Sequence, residues 1–283
     1  MNDDEMLPPD LPKQIQDYVI IKSLGSGSFA TVYLAQHTTT QTLVALKCVS
    51  KSNLRNPQEF EQLRREVLIM RDMDHPFIIS FYELVDDNSN FYIAMEVAEN
   101  GNLLNYITTN KGLQEQQARR IFCQIVAALR YLHIEQNVVH RDLKPENVLL
   151  DTYCNIRLVD FGFSRTFRKD DPFLQTTCGS PAYIAPEIIK QKPYTTTADI
   201  WSLGVILYVM TVGVLPFDDD NITMLLQKIV SEKPVIPNSL SPHLKSLLTR
   251  LLVKEPLARI TLPEIMNHPW ITEFEDAKLF NED

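Results

Sequence analysis

The first third of the chain is written in short apolar runs separated by turn residues. Tyr18 to Leu24 runs into a Gly-Ser turn, and Thr31 to Ala35 and Leu43 to Val49 follow. Each predicts a strand. Gln58 to Met73 instead spaces its apolar residues at helical intervals among charges and predicts one amphipathic helix. Ile78 to Val85 and Phe91 to Val97 predict two more strands. Strands with a single main helix make a small α+β lobe. Glu99-Asn100-Gly101-Asn102 then interrupts the pattern as a hinge would. Beyond it helical periods dominate, over Leu103 to Thr109, Gln114 to His133, Thr197 to Val212, Ile222 to Val230, His243 to Leu252 and Leu262 to Asn267. The expectation is a bilobal α+β chain: a β-rich lobe over 18–98 and a larger, mostly helical lobe over 99–270. A loose acidic arm over 1–17 and an acidic tail over 271–283 flank them.

Composition narrows the partners. Lys and Arg number 27 against 36 Asp and Glu, a net charge of −9, which disfavours non-specific nucleic-acid binding and leaves room for cationic partners. Cys48, Cys123, Cys154 and Cys178 lie far apart with no paired spacing, so neither a zinc site nor a disulfide framework is expected. A reducing compartment suits them, the cytoplasm with access to the nucleus left open. Met1-Asn2-Asp3-Asp4-Glu5 lacks the basic and apolar regions of a signal peptide, and Asn2 stands where N-myristoylation requires glycine. The longest apolar stretch, Ile200 to Phe217, is broken by Ser202, Gly204, Thr211, Gly213 and Pro216, with Asp199 at its start. It reads as a buried helix in a soluble protein with no membrane partner.

Several segments carry chemistry. Gly25-Ser26-Gly27-Ser28-Phe29-Ala30-Thr31-Val32 lies between two predicted strands, where glycines let a backbone approach phosphate oxygens. A plain hairpin turn looks the same. Val44-Ala45-Leu46-Lys47 on the next strand offers a lysine for phosphate. Glu66, on the apolar side of the following helix, offers that lysine a carboxylate, with Glu59 and Glu61 as rivals if the helix register differs. No basic residue lies one turn from Glu66, among Gln62, Leu63, Ile69 and Met70, which disfavours an ordinary local ion pair. The run His140-Arg141-Asp142-Leu143-Lys144-Pro145-Glu146-Asn147 is too long a match to a phosphoryl-transfer loop to be arbitrary. Asp160-Phe161-Gly162 follows a short predicted strand, Ile156 to Val159.

In this order, these motifs make the chain resemble the eukaryotic protein kinase domain from about Tyr18 to Trp270. Ala185-Pro186-Glu187, Asp199-Ile200-Trp201-Ser202-Leu203-Gly204, Pro256-Leu257-Ala258-Arg259 and His268-Pro269-Trp270 extend the likeness. The resemblance implies ATP and Mg²⁺ as cofactors and protein serine or threonine residues as acceptors. It implies that Lys47, held by Glu66, grips the phosphates and that Asp142 orients the acceptor hydroxyl. Lys144 then steadies the γ-phosphate, and Asn147 and Asp160 hold metal. Leu24, Gly25, Ser26, Gly27, Ser28 and Phe29 cover the nucleotide. Adenine lies between Val32 and Ala45 on one side and Leu149 on the other, with Met95 as gatekeeper and backbone groups of Glu96 and Val97 bonding the base. Ala30 departs from the family's third glycine, a tolerable change if its φ is negative. Glu187 is expected to pair with Arg259, and Asp199 to tie down the catalytic loop.

Leu174 to Pro181 is similar to the activation segment of the calcium/calmodulin-dependent and AMP-activated protein kinase group. That likeness makes Thr176 the activating site for an upstream kinase, with Thr177 as competitor and Arg141 and Arg165 as phosphate partners. It also implies that Ser180 bonds Asp142 and Lys144, and that Glu146 receives an upstream arginine of the substrate. Asn102 and Val209 stand where basophilic relatives carry acids, so only a mild basic preference is expected. A regulatory subunit is a further expected partner. A pseudokinase scaffold is disfavoured by the full set of Lys47, Glu66, Asp142, Asn147 and Asp160. A small-molecule kinase is disfavoured by the activation segment.

Overall fold

The computed structural model describes residues 13–27, 30–54, 56–166 and 180–273. The chain divides into two compact units, Met1–Glu99 and Asn100–Asp283.

In the first unit β1 (Gln14–Ile15), β2 (Tyr18–Ser26), β3 (Ala30–His37), β4 (Leu43–Ser50), helix α1 (Pro57–Arg71), β5 (Phe81–Asp86) and β6 (Asn90–Met95) follow in order. The strands form one antiparallel sheet, β1-β2-β3-β4-β6-β5. Register decides what each face carries, because side chains alternate along a strand. Tyr33 faces Leu46, and Leu46 faces Ala94. These residues join Ile15, Tyr18, Ile20, Ala35, Val44, Val85 and Tyr92 in one buried cluster. The alternate positions, Val32 opposite Lys47 and Ala45 opposite Met95, belong to the other face. Helix α1 starts where the Asn56 side chain accepts the Glu59 N–H at 3.0 Å with Pro57 in the first turn, and it buries Leu63, Glu66, Ile69 and Met70.

Two expectations need correction here. The loose arm does not extend to residue 17, since Gln14 and Ile15 pair with Val19 and Tyr18 and Ile15 is buried. Two residues are too short a run to show alternation, so pairing alone reveals the strand. The predicted strand from Ile78 begins instead at Phe81: Ile78 and Ile79 are buried, but Ile78 N–H closes a turn onto His75. Apolar burial there comes outside the paired run of β5.

In the second unit α2 (Leu103–Asn110) and α3 (Glu115–Arg130) are followed by a π-helical turn, Tyr131–Glu135, and by strands β7 (Val138–Val139), β8 (Val148–Leu150), β9 (Ile156–Leu158) and β10 (Arg165–Thr166). Strand β8 pairs with β9, and β10 with β7. Helices α4 (Pro186–Ile189), α5 (Thr197–Val212), α6 (Ile222–Ser231), α7 (Pro242–Leu251), α8 (Leu262–Met266) and α9 (Pro269–Thr272) complete it. Helix α9, with Ile271 fully buried, carries the folded part past residue 270, where the acidic tail was expected to begin.

Helix α5 is apolar all round and buried continuously from Ala198 to Met210, as a central helix must be. Gly213, in the left-handed conformation, ends it. Glu115, at the start of α3, accepts from the Ser241 N–H, the Ser241 hydroxyl and the Trp270 indole at 2.8, 2.7 and 3.2 Å, fastening α7 and α9 to α3. Among the described residues no helix is long and apolar enough to cross a membrane.

Gly204 marks the tightest approach in this packing. A Cβ there would stand 2.8 Å from Leu251 Cβ and 3.1 Å from Leu252 Cδ2. Gly204→Ala is therefore expected to destabilise the second unit by about 1–3 kcal/mol through overpacking, despite alanine's better helix propensity. Urea denaturation checks it, and a variant as stable as the parent would show that α5 and α7 can separate freely.

Candidate active site

The first unit supplies a lysine fixed by a carboxylate. Lys47 Nζ donates to Glu66 Oε1 at 2.6 Å, with the Glu66 side chain only 7% exposed. The rival Glu61 pairs with Arg64 at 3.5 Å on the surface. A part-buried, charge-assisted bond holds the ammonium in one place, where a free surface lysine would sample many rotamers. Val32, Ala45 and Met95 share Lys47's face of the sheet by register, and Ala45 and Met95 are buried.

Leu24, Gly25, Ser26 and Gly27 are exposed toward the end of β2. Ser28 and Phe29 lie outside the described residues. Gly25 and Gly27 have no positive φ, and a Cβ on Gly25 would meet nothing within 4 Å. The chain's own packing therefore does not require glycine at 25, and room for a closely approaching ligand is a sufficient reason for it. Ala30, at the third glycine's place, opens β3 opposite Val49, an ordinary strand position for alanine. The Glu96 N–H is committed to the Ser80 carbonyl at 2.9 Å, which removes it from the groups available to a base. Val97 is half-buried beside it.

The second unit supplies the loop from His140 to Asn147, organised around one buried acid. Asp199, in the first turn of α5, is 1% exposed. Its Oδ1 accepts the Arg141 N–H at 2.9 Å, and its Oδ2 accepts the His140 N–H at 2.8 Å. His133 Nε2 lies 2.8 Å from the same Oδ2. Burial alone would raise Asp199, but the His133 bond and charge, His140 and the Arg141 N–H outweigh it and hold the carboxyl below its ordinary range. The clamp permits a strained backbone at Arg141, φ 74°, and Asp160 is also left-handed at φ 67°, conformations costly to residues with a Cβ.

Asp142 is buried, and both its carboxylate oxygens accept hydrogen bonds from neighbours in the loop and from Ser180. Its Oδ1 accepts from the Ser180 N–H at 2.9 Å and the Ser180 hydroxyl at 3.1 Å. Its Oδ2 receives Lys144 at 2.9 Å and Asn147 Nδ2 at 3.1 Å. Lys144 Nζ also donates to Ser180 Oγ at 2.7 Å. Burial pushes the Asp142 carboxyl up, yet Lys144, His140 and Ser180 together bring it below the usual carboxylate range. Asp142, Lys144, Asn147 and Ser180 thus form one connected set.

Asn147 spends its Nδ2 on the Asp142 carbonyl and carboxylate, which turns its Oδ1 elsewhere as a hard oxygen donor. The Asn147 carbonyl accepts the Val159 N–H at 3.0 Å, so the residue beside Asp160 is tied to the same loop. Among the described residues no group of three His, Cys, Asp or Glu could cage a metal alone. One amide oxygen and one carboxylate suit Mg²⁺, which keeps most of its shell for water and phosphate oxygens. Phe161 is buried, its ring 5.3 Å from that of His140. Leu149, half-buried on β8, pairs with Arg157. Glu146 Oε2 is buried without a hydrogen-bond partner among the described residues.

Arg141 is buried, with its guanidinium 5.8 Å from the Tyr194 ring centroid. Arg165 on β10 pairs with Val139, two residues before Arg141. Thr176 and Thr177 lie outside the described residues. The Ala185-Pro186-Glu187 segment is anchored as expected: Arg259 Nη1 and Nη2 donate to the two Glu187 oxygens at 2.8 and 2.9 Å, fully buried. Sequence reasoning missed His133 and Ser164. The Ser164 hydroxyl donates to the His140 carbonyl at 3.2 Å, and neither residue carries a local signal that separates it from an ordinary polar side chain.

A family model described as the protein kinase domain matches residues 18–271. The SNF1-related protein kinase catalytic subunit alpha KIN12 of Arabidopsis thaliana is 46% identical over 256 residues, covering 90% of this chain and 51% of the relative. The carbon catabolite-derepressing protein kinase of Secale cereale is 44% identical over 260 residues, 90% of this chain and 51% of the relative. The serine/threonine-protein kinase SIK2 of Gallus gallus is 43% identical over 261 residues, 92% and 32%. The chain thus spans about half or less of the length of these curated relatives.

The Asp199 clamp carries a pH prediction. A carboxyl whose folded pKa is depressed adds stability above its unfolded value, about 3.9, and loses it as pH falls through the folded value. Asp199→Asn is expected to lower stability at pH 7 by about 1.5–3 kcal/mol, the worth of hydrogen bonds to a charge. It should also flatten the loss of stability below about pH 4. Urea denaturation across that range checks both, and a variant with the parent's acid profile would remove Asp199 from the linkage.

Proposed function

The chain belongs to the protein kinase domain family, and on that premise we propose that it transfers the γ-phosphate of ATP to serine and threonine hydroxyls of proteins. The observation that carries the proposal is the Asp142–Lys144–Asn147–Ser180 set, bonded at 2.7–3.1 Å around one buried carboxylate. The low pKa of Asp142 keeps it ionised at neutral pH. It accepts the acceptor hydroxyl's hydrogen bond and orients the oxygen, and as a weak base it takes the proton late. Lys144 places a positive charge beside the same carboxylate, where charge develops on the transferred group. Lys47, held by Glu66, fixes phosphate in the first unit. Asn147 and Asp160 are the residues that would hold Mg²⁺, whose part when bound is to screen phosphate charge.

Acceptor choice follows from Lys144 and Ser180, and Glu146 adds an unsatisfied acidic oxygen that an arginine of the substrate can meet. Asn102 caps α2 with its own side chain and Val209 is apolar, so Glu146 acts largely alone and the basic preference is mild. Phosphorylation of Thr176 by an upstream kinase, with Arg141 and Arg165 as partners, is the proposed switch. A cytoplasmic location and a regulatory subunit complete the reading.

An in vitro assay with a degenerate serine/threonine peptide library and Mg²⁺-ATP tests it. The parent should transfer phosphate, and Asp142→Asn should lower kcat by about 10²–10⁴-fold. Asp160→Asn should abolish turnover. Transfer unaffected by either change would refute the assignment of the site. In the same assay Thr176→Ala should lose most activity while still binding ATP, and full activity in that variant would end the switch. Arg or Lys upstream of the acceptor should be modestly enriched, and Glu146→Gln should erase that enrichment.

A further inference from the structure

The peptide group between His140 and Arg141 is held from both sides. Its N–H, on Arg141, donates to Asp199 Oδ1 at 2.9 Å, and its carbonyl, on His140, accepts the Ser164 hydroxyl at 3.2 Å. Ser164 is 2% exposed and His140 fully buried, so bulk water does not compete for either group. The bond spans 24 residues and joins the loop that carries Asp142 to the turn that carries Asp160.

That turn has little else of its own to anchor it. Two of its bonds are internal: the Gly162 N–H donates to Asp160 Oδ1 at 3.3 Å, and the Ser164 N–H to the Phe161 carbonyl at 2.9 Å. The entry is fixed at Val159, whose N–H donates to the Asn147 carbonyl at 3.0 Å and whose carbonyl accepts His140 Nε2 at 3.1 Å. Among the described residues, Ser164 carries the one polar side chain of the turn that bonds outside it. Between entry and tether Asp160 stands at φ 67°, a conformation that persists only where the surroundings over-determine it.

The two sides of the bond do not depend on it equally. Asp199 holds the His140 and Arg141 N–H groups with an ionised carboxylate, and such bonds are about twice as strong as neutral ones. Loss of the Ser164 hydroxyl therefore leaves the loop in place and frees the turn.

We propose that Ser164 is a positioning residue, whose hydroxyl sets the turn against the catalytic loop and so aims Asp160 for Mg²⁺. The proposal rests on the reading of Asp160 as a metal-holding residue. Ser164 itself touches no reacting group.

Nucleotide binding and amide exchange read this without turnover. Dissociation constants of the full chain for N-methylanthraniloyl-ATP would be measured in EDTA and in saturating Mg²⁺, for the parent, Ser164→Ala and Asp160→Asn. Ser164→Ala should keep the parent's value in EDTA. It should shrink the tightening that Mg²⁺ confers by about three- to tenfold, the worth of one neutral hydrogen bond. Without nucleotide, its amides over 160–164 should exchange faster by a similar factor, while those over 140–147 keep the parent's rate. Asp160→Asn should remove most of the Mg²⁺ effect. If Asp160→Asn kept that effect, the metal reading would fail and this inference with it. If Asp160→Asn lost the effect while Ser164→Ala kept it in full, the role of Ser164 alone would fall. Equal weakening in EDTA and in Mg²⁺, or faster exchange over 140–147 as well, would make Ser164 a general packing residue and overturn the proposal.

Discussion

The second unit depends on one buried carboxylate. Asp199 accepts two backbone N–H groups from the loop that carries Asp142 and meets His133 on the same oxygen. A charge at this depth is tolerable only because every partner is in place. The arrangement repays its cost in geometry, since Arg141 is held at φ 74° and the residues after it are aimed. Without the clamp the strained turn would relax, and Asp142 and Asn147 would lose their common orientation. Because Asp199 sits on the helix buried on all sides, the most rigid element of the unit positions its most chemically demanding loop.

A second layer of buried pairs repeats the logic. Arg259 and Glu187 bond through two parallel contacts, and Arg259 also reaches the Thr197 carbonyl at the start of α5. Glu187 is thereby joined to the helix that carries Asp199. In the first unit Lys47 and Glu66 do the same work between sheet and helix. Each pair replaces a flexible charged side chain by a fixed one. For phosphoryl transfer, where catalysis is mostly positioning and charge stabilisation, fixed charge is what the fold has to supply.

Much of this was legible in the chain. Glu66 could be chosen over Glu59 and Glu61 because it lies on the apolar side of its helix with no basic neighbour one turn away. Helix α5 announced its burial by lacking a polar face. Other features left no trace. The pairing of Gln14–Ile15 is too short to show a period, and Ile78–Ile79 satisfy an apolar pattern while lying outside β5, just after a turn. His133 reads as one more helix residue until Asp199, distant in sequence, comes to it. Lys254 is an ordinary charge before folding and a half-buried cation over two aromatic rings after it.

Resemblance to a known family supplied the Glu187–Arg259 pair, while the sequence by itself determined the order of the main elements, the division near Glu99, the residues of the catalytic loop and the choice of Glu66 for Lys47. These are local quantities: periodicity, turn chemistry and the residue types that a reaction requires. Tertiary structure alone decided which acids are buried, which way their pKa values move, where backbone strain is stored and which lysine lies over aromatic rings. Burial and electrostatic coupling depend on groups far apart along the chain, and no window of sequence contains them.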